Sequence, residues 1–438
     1  MIEIISIICQ LFVFLIIFSF PFTPKILNNY FSSTYYKFKL IDAHSINIIF
    51  FIYICLIFSF ANLDLEIFFR TYLILSILYI IVSYKNYRLI LKNTEKFLFF
   101  FFLLISISIF LYIGQNLKLE WDGANHWLEK VLIFFNDEQI KNLKDVKIHS
   151  HYPHLGSYIW ALFWKNSLLE FEYMGRLFQV YFYIISIFLI VDTFKTKNYL
   201  NQILLILFFI IITFDSYLFA GYQEYLIFST LIIASKYISL IDFKKTQDFK
   251  IIFLILLTLY LNCWFKDEGI VYFFLFSFLL ILVINTSLIS KFLLIFFIIS
   301  LFLLQYILQK YLIGIYDFPQ KISFSNLYND LTNLQILFSK IFKIITHIFI
   351  SFIKYPLWII IFIVIFIKLF SNLKINIHEK YIFLCLIFNL GFLISIFFTF
   401  RSFDFMLKVS LDRLLFQTSG FYLILTLVAL NNLNILKK

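Results

Sequence analysis

Apolar stretches of roughly 15 to 20 residues alternate with short polar stretches along almost the whole chain. A helix needs about 20 mostly apolar residues to cross a bilayer, so we expect the ends of the shorter helices to extend into the polar connections. The pattern predicts an all-α, polytopic transmembrane helical bundle of about 13 spans. The predicted spans are residues 4–20, 46–61, 65–83, 97–113, 176–193, 200–214, 222–241, 250–265, 269–287, 290–309, 355–370, 380–399 and 414–430.

The composition is typical of a membrane protein and excludes an ordinary soluble domain. Hydrophobic residues make up 62% of the 438 residues and charged residues only 14%, which leaves too little polar surface to cover a core in water. The 63 phenylalanines accompany many Ile, Lys, Asn and Tyr residues, which indicates codon bias rather than an aromatic function. The formal net charge of +11 comes from Lys and Arg in short connections, so we predict no nucleic-acid partner.

The cations of the connections predict the sidedness of the bundle. Lys and Arg favour cytoplasmic loops, and the cationic loops share one side if residues 114–175 lie outside. The stretch 334–356 could be another span, but a crossing there would move the cationic loop 368–380 outside. We therefore predict an amphipathic helix in the outer interface. The loop cations are Lys25, Lys37, Lys39, Lys85, Arg88, Lys92, Lys96, Lys195, Lys197, Lys244, Lys245, Lys250, Lys368, Lys374, Lys380, Lys437 and Lys438.

Polar chemistry concentrates in the loops that this sidedness places outside. A transporter or proton relay usually places polar groups at mid-membrane depth, and the predicted spans hold almost none. The distribution favours a site at the outer membrane surface, with juxtamembrane helices in the first long loop. The outer loops are predicted at residues 119–178, 214–226, 263–269, 311–333 and 400–417.

The stretch LEWDGANHWLEK, residues 119–130, carries the densest cluster of functional groups. Glu120 and Asp122 are two residues apart, so an extended segment would point both carboxylates the same way. Such a pair could hold a divalent cation, or one of the two carboxylates could take a proton from an attacking hydroxyl. Asp122 could instead cap the helix that follows. Trp121 and Trp127 offer flat faces for a sugar ring or amphipathic rings for the membrane interface.

The other candidates also allow more than one interpretation. His149, His151 and His154 could bind a metal or make interface hydrogen bonds. Lys266 could snorkel beside its acidic neighbours, and Arg413 could anchor a span. Glu224 could contact an acceptor or cap a helix.

Several motifs in these loops resemble the GT-C superfamily of membrane glycosyltransferases, including bacterial relatives of dolichyl-phosphate-mannose mannosyltransferases. They are the acidic pair in EWD with the following WDGANHWLEK, the YPHLGSYIWALFW run with Arg176 further on, AGYQEYLIF with Glu224, KDEG with Lys266, and DRLLFQTSGFYLIL with Arg413. The resemblance covers about residues 97–430. It divides the chain into N-terminal spans, residues 1–96, and a GT-C-like catalytic module, residues 97–438. The three spans before the usual first span of the family are a departure from it.

The resemblance implies an inverting glycosyltransferase in the inner membrane of a bacterium, with its active site facing outward. It would transfer a sugar from a polyprenyl-phosphate donor to a glycan or lipid acceptor. Asp122 would be the base, with Glu120 as its partner or second choice. The implied substrate-binding residues are Trp121, Trp127, His151, His154, Arg176, Glu224, Lys266 and Arg413. Of these, Lys266, Arg413, Arg176 and His151 are the candidates for binding the lipid phosphate. Alternatives are a surface polysaccharide polymerase or ligase, a lipid or glycan flippase, and a non-catalytic membrane subunit. A metal requirement stays open, with Glu120 and Asp122 as the ligands if a divalent cation binds.

Overall fold

The computed structural model describes residues 2–31, 36–84, 94–116, 118–194, 198–243, 249–315, 325, 328, 332–370, 376–400 and 402–431, except the side chains of residues 94, 95 and 429–431. The regular elements within these ranges are helices. In chain order the α-helices are α1 Ile2–Ile17, α2 Pro24–Tyr30, α3 Leu40–Ala61, α4 Leu65–Val82, α5 Thr94–Gln115, α6 Leu128–Phe135, α7 Leu155–Lys165, α8 Tyr173–Asp192, α9 Tyr199–Thr213, α10 Glu224–Ile238, α11 Phe249–Tyr260, α12 Asn262–Phe265, α13 Glu268–Val283, α14 Leu288–Ile307, α15 Leu334–Lys354, α16 Leu357–Phe370, α17 Ile377–Thr399 and α18 Phe403–Asn431.

The helical class predicted from the apolar stretches is confirmed, and every predicted span overlaps one of these helices. Eight described helices are long and apolar enough to cross a bilayer: α3, α4, α5, α8, α14, α15, α17 and α18. Shorter apolar helices accompany them, namely α1, α9, the α11–α12 pair, α13 and α16. The total of about 13 crossings stays a prediction. Short turns of 3₁₀-helix cover Ile140–Asp145 and Ser216–Phe219, and π-helical turns cover Gly123–Trp127 and Leu308–Ile313.

Three helices form the centre of the bundle. α10 packs against both α8 and α18, and every residue of α10 is buried. Burial around the whole circumference means that other elements surround α10 on all sides. The N-terminal helices join the same core, since Phe14 of α1 packs on Phe163 of α7 with ring centroids 4.8 Å apart. By contrast, α14 and α15 are mostly exposed to the surroundings.

The two ends of the bundle carry different groups, and we refer to them by those groups. The site end carries Asp122, Arg413 and the start of α1, whose Glu3 accepts a hydrogen bond from Tyr173 at 2.7 Å. The cationic end carries an ion-pair cluster in which Asp192 binds both Lys39 and Lys236.

The end of α16 and the start of α17 lie at the cationic end. His378 at the start of α17 packs against Phe243, which follows the end of α10, with ring centroids 5.5 Å apart. Beside it, Lys368 forms a buried ion pair with Glu379 at 2.8 Å. This position agrees with the predicted grouping of the 368–380 loop with the other cationic loops. Several of the predicted loop cations lie outside the described residues: Lys85, Arg88, Lys92, Lys195, Lys197, Lys244, Lys245, Lys374, Lys437 and Lys438.

The predicted outer loop at residues 400–417 is wrong, because α18 already begins at Phe403. Charged residues interrupt the apolar run there, yet they sit on helical faces that meet α15. Lys343 pairs with Asp404 at 2.9 Å, and Lys354 pairs with Asp412 at 3.3 Å. The helix predicted at 334–356 is present as α15, and it lies along the first turns of α18. It is also long and apolar enough to span, so its interfacial position stays a prediction.

Candidate functional site

Two glycines bring the acidic stretch against the segment before α10. A Cβ on Gly123 would lie 2.4 Å from the carbonyl oxygen of Ala220, so only glycine permits this approach. Gly221 has φ +99°, a backbone conformation that favours glycine. The amide of Glu120 donates to the carbonyl of Ala220 at 3.1 Å, which fixes the register of the two segments. Asp122 is thereby held beside the start of α10.

Asp122 forms an ion pair with Arg413 of α18, a residue 291 positions away in the chain. Both side chains are mostly buried, with 17% and 14% of their surfaces exposed. The alternative that Asp122 caps a helix is wrong, because its side chain makes no capping hydrogen bond and its backbone is helical. The guanidinium of Arg413 also lies over the ring of Tyr222, 5.0 Å from the centroid. The carboxylate of Asp122 and the ring of Tyr222 therefore hold the guanidinium of Arg413 in place.

Glu224, the first residue of α10, links the two cations of the site. Its Oε1 lies 3.0 Å from Nζ of Lys266 and 3.5 Å from Nη1 of Arg413. The carboxylate is fully buried, and its Oε2 has no hydrogen-bond partner among the described residues. The sequence left open whether Glu224 caps a helix or contacts an acceptor. Here its described contacts are the two ion pairs.

Lys266 lies in the connection between α12 and α13, in extended backbone. It pairs with Glu224 and, at 3.5 Å, with Glu268, so a snorkelling side chain is not what the structure shows. Burial lowers the pKa of Lys266, but Glu224 and Glu268 outweigh it and hold the pKa above its usual value. Lys266 is therefore a fixed positive charge at neutral pH.

The ionisation of Asp122 follows from the same balance. Burial raises the pKa of Asp122, while Arg413 and then Lys266 lower it, and the net result is a pKa below the ordinary value. The carboxylate is thus charged at neutral pH and can accept a proton only weakly while Arg413 holds it.

A second set of titratable groups borders this cluster. Asp267 lies 3.5 Å from Nε2 of His151, and burial followed by the charge of Glu268 raises the pKa of Asp267 to about 7. Burial lowers the pKa of Lys130 to about 7 as well, and its ammonium donates to the carbonyls of Ser150 and Tyr152.

Three packed histidine rings, those of His126, His149 and His151, lie between Asp122 and Asp267. His126 Nδ1 lies 3.8 Å from Asp122, and the ring of His126 packs on His149 with centroids 4.4 Å apart. His149 in turn lies 5.2 Å from His151. His126 and Asp267 were not among the site residues predicted from the sequence. Each had a signal, since His126 follows Asp122 by one helical turn and Asp267 follows Lys266 directly.

Arg176 is not part of the charged cluster. It is fully buried in α8, where it pairs with Glu172 at 2.7 Å. It also donates to the carbonyl of Phe219 at 2.9 Å, one residue before Ala220. Arg176 therefore positions the segment that supports Glu120, and it makes no described contact with Asp122.

The remaining candidates occupy different surroundings. His154 is buried, accepts or donates a hydrogen bond with Ser59 at 2.9 Å, and packs on Trp264, away from the ion pairs. Trp127 is buried and stacks on Tyr152 at 5.6 Å, whereas Trp121 is 60% exposed beside His126. Glu120 is half-buried and makes no side-chain ion pair within the described residues.

Metal ligation has no ready site in the part of the chain that the structure describes. It contains no group of three or more His, Cys, Asp or Glu residues arranged to hold a metal ion.

Comparisons with protein-family models, curated proteins and solved structures found no match to this chain. The resemblance to GT-C enzymes therefore stays a prediction.

Proposed function

We propose that this protein is an integral membrane glycosyltransferase. It moves a sugar from a polyprenyl-phosphate donor to a hydroxyl of a glycan or lipid acceptor. One observation carries the proposal: Asp122, Glu224, Lys266 and Arg413 come from four separate segments and converge in one ion-pair cluster. A transfer of this kind needs a carboxylate beside the acceptor and fixed cations beside the departing phosphate.

The cluster supports a single displacement at the anomeric carbon. Asp122 takes the proton of the acceptor hydroxyl while that oxygen bonds to the anomeric carbon. The bond from this carbon to the phosphate oxygen breaks, and its electron pair stays on the phosphate. Arg413 and Lys266 stabilise the added negative charge, Arg413 by paired hydrogen bonds and Lys266 as a point charge. The new bond forms on the face opposite the phosphate, so the configuration inverts.

The ion pair between Asp122 and Arg413 gives the donor a role in activating the base. While Arg413 binds Asp122, it depresses the pKa of that carboxyl. A donor phosphate that draws Arg413 to itself removes this effect, and burial then raises the basicity of Asp122. The carboxylate gains strength as a base when the leaving group is in place.

We place this reaction on the outer face of a bacterial inner membrane. The support is the cationic opposite end of the bundle, which fits the cytoplasmic side. No step of the proposed reaction uses a metal ion.

The test compares Asp122→Asn with Asp404→Asn, whose carboxylate is exposed and pairs only with Lys343 among the described residues. Membranes from a deletion strain carrying each variant are supplied with a radiolabelled polyprenyl-phosphate sugar. We expect Asp122→Asn to lower transfer by about 10²- to 10⁴-fold, as for loss of a general base. Donor binding should persist or tighten, since Arg413 loses its competing carboxylate. A transfer rate of Asp122→Asn within tenfold of that of Asp404→Asn would contradict the role of Asp122 as the base.

A further inference from the structure

A cavity of about 470 Å³ opens between helices at the cationic end of the bundle. None of the ion-paired residues of the site end lines it. Its walls come from α1, α3, α5, α8 and α9. The lining residues include Lys39, Leu98, Phe102, Tyr181, Phe188 and Asp192.

The inner part of the cavity is apolar and has fixed walls. Phe102 packs edge-on against both Tyr181 and Phe188, with ring centroids 5.8 and 5.3 Å apart. The hydroxyl of Tyr181 is held by Nε2 of buried His44 at 2.5 Å, so this ring cannot swing in to fill the space. The apolar part of the lining suits a hydrocarbon chain.

The charged side chains that line the cavity are Lys39 and Asp192. Lys236 contacts Asp192 at 2.7 Å and is itself buried, so the charge of this carboxylate is balanced from within the bundle. Lys39 binds the same carboxylate while 54% of its side chain stays exposed. A further carboxylate, Asp42, is fully buried nearby and does not line the cavity.

The cations around Lys39 give this part of the bundle a positive character. Lys37 and Lys96 are both exposed, and they lie two residues from the lining residues Lys39 and Leu98. Cationic pockets between transmembrane helices bind the head groups of anionic lipids.

We propose that this cavity binds a phosphate-bearing lipid, with one hydrocarbon chain between α5, α8 and α9 and the phosphate at Lys39. The apolar walls recognise the chain, and Lys39 recognises the charge. Either an anionic phospholipid of the bilayer or an isoprenoid phosphate carries this chemistry. The proposal does not depend on transferase activity, because the cavity and the Asp122 cluster lie at opposite ends.

The test measures lipid binding by native mass spectrometry of the purified, delipidated full chain. Phosphatidylglycerol, phosphatidylcholine and undecaprenyl phosphate are added separately. Lys39→Gln removes the charge, and Leu98→Trp fills the cavity from a partly exposed position. Lys343→Gln is the matched control, since Lys343 is 50% exposed and pairs with one described carboxylate, as Lys39 does.

We expect one tightly bound phosphatidylglycerol or undecaprenyl phosphate in the wild type and in Lys343→Gln. Lys39→Gln should bind it about tenfold more weakly, as for loss of one charged contact to phosphate. Leu98→Trp should lose it. Preference for phosphatidylglycerol identifies a bilayer lipid, and preference for undecaprenyl phosphate identifies a carrier lipid. Either preference supports the proposal.

Equal binding by all four proteins, or no preference for an anionic lipid over phosphatidylcholine, would overturn it. A photoreactive acyl-chain phosphatidylglycerol or an isoprenoid phosphate probe adds a test on the wild type that needs no variant to fold. Cross-links are expected in residues 98–102 and 199–206, and labels found only elsewhere contradict the proposed site.

Discussion

Replacing Glu224 with glutamine removes the negative charge that two buried cations share. Glu224 is fully buried, and its Oε1 contacts Lys266 and Arg413 at 3.0 and 3.5 Å. Removing one partner of a buried ion pair typically costs about 3–5 kcal/mol, because it leaves an uncompensated charge. Asp122 and Glu268 still face the two cations, so we expect the lower limit of about 3 kcal/mol.

The expected change in melting temperature follows from the size of the chain. An unfolding entropy of about 2.1 cal/mol/K per residue gives roughly 0.9 kcal/mol/K for 438 residues. A loss of about 3 kcal/mol therefore lowers the melting temperature by about 3 °C. Asp404→Asn breaks an exposed pair, with side chains 50% and 69% exposed, and should cost less than about 1 kcal/mol.

The assay is thermal unfolding of purified protein in detergent, followed by tryptophan fluorescence. Adding Lys266→Met to Glu224→Gln removes one of the stranded cations and should restore part of the lost stability. Two results would refute the reasoning. One is a Glu224→Gln protein that melts with the wild type, and the other is an Asp404→Asn protein that loses as much stability as Glu224→Gln.

Two further changes test the framework of the site. Gly123→Ala forces a Cβ against the carbonyl of Ala220, so transfer and melting temperature should both fall, whereas Gly391→Ala, whose Cβ meets open space, should be neutral. Asp267 binds an extra proton in the fold between about pH 4 and its pKa of about 7, so stability falls as pH rises through this window, and Asp267→Asn should remove that slope. Burial lowers the pKa of Lys130 to about 7, so stability rises from pH 7 toward about 10.5, and Lys130→Met should remove that rise in melting curves.

Much of the fold was accessible from the sequence, because apolar runs long enough to cross a bilayer have few structures open to them other than helices. The start of α18 could not be predicted from the sequence, for a physical reason. Asp404 and Asp412 interrupt the apolar pattern, but they lie about two helical turns apart and pair with Lys343 and Lys354 of α15. The spacing of apolar residues does not predict a helix whose polar face pairs with a neighbouring helix.

The site was accessible as a set of residues and not as an arrangement. Asp122, Glu224, Lys266 and Arg413 were all candidates because each lies in one of the motifs that resemble GT-C enzymes. Which of them pair could not be predicted, since Asp122 and Arg413 meet across 291 positions. Arg176 shows the converse limit. Its motif position suggested phosphate binding, whereas its neighbour one turn earlier, Glu172, already binds it.

The shared oxygen of Glu224 has a consequence for how an anion enters the cluster. Lys266 and Arg413 both contact Oε1 of Glu224, so either cation can move away while the carboxylate keeps the other as its partner. An incoming anion needs only to exchange places with an acid that Arg413 already holds. Binding of the anion thus replaces one negatively charged partner of Arg413 with another, and it requires little further desolvation of charged groups.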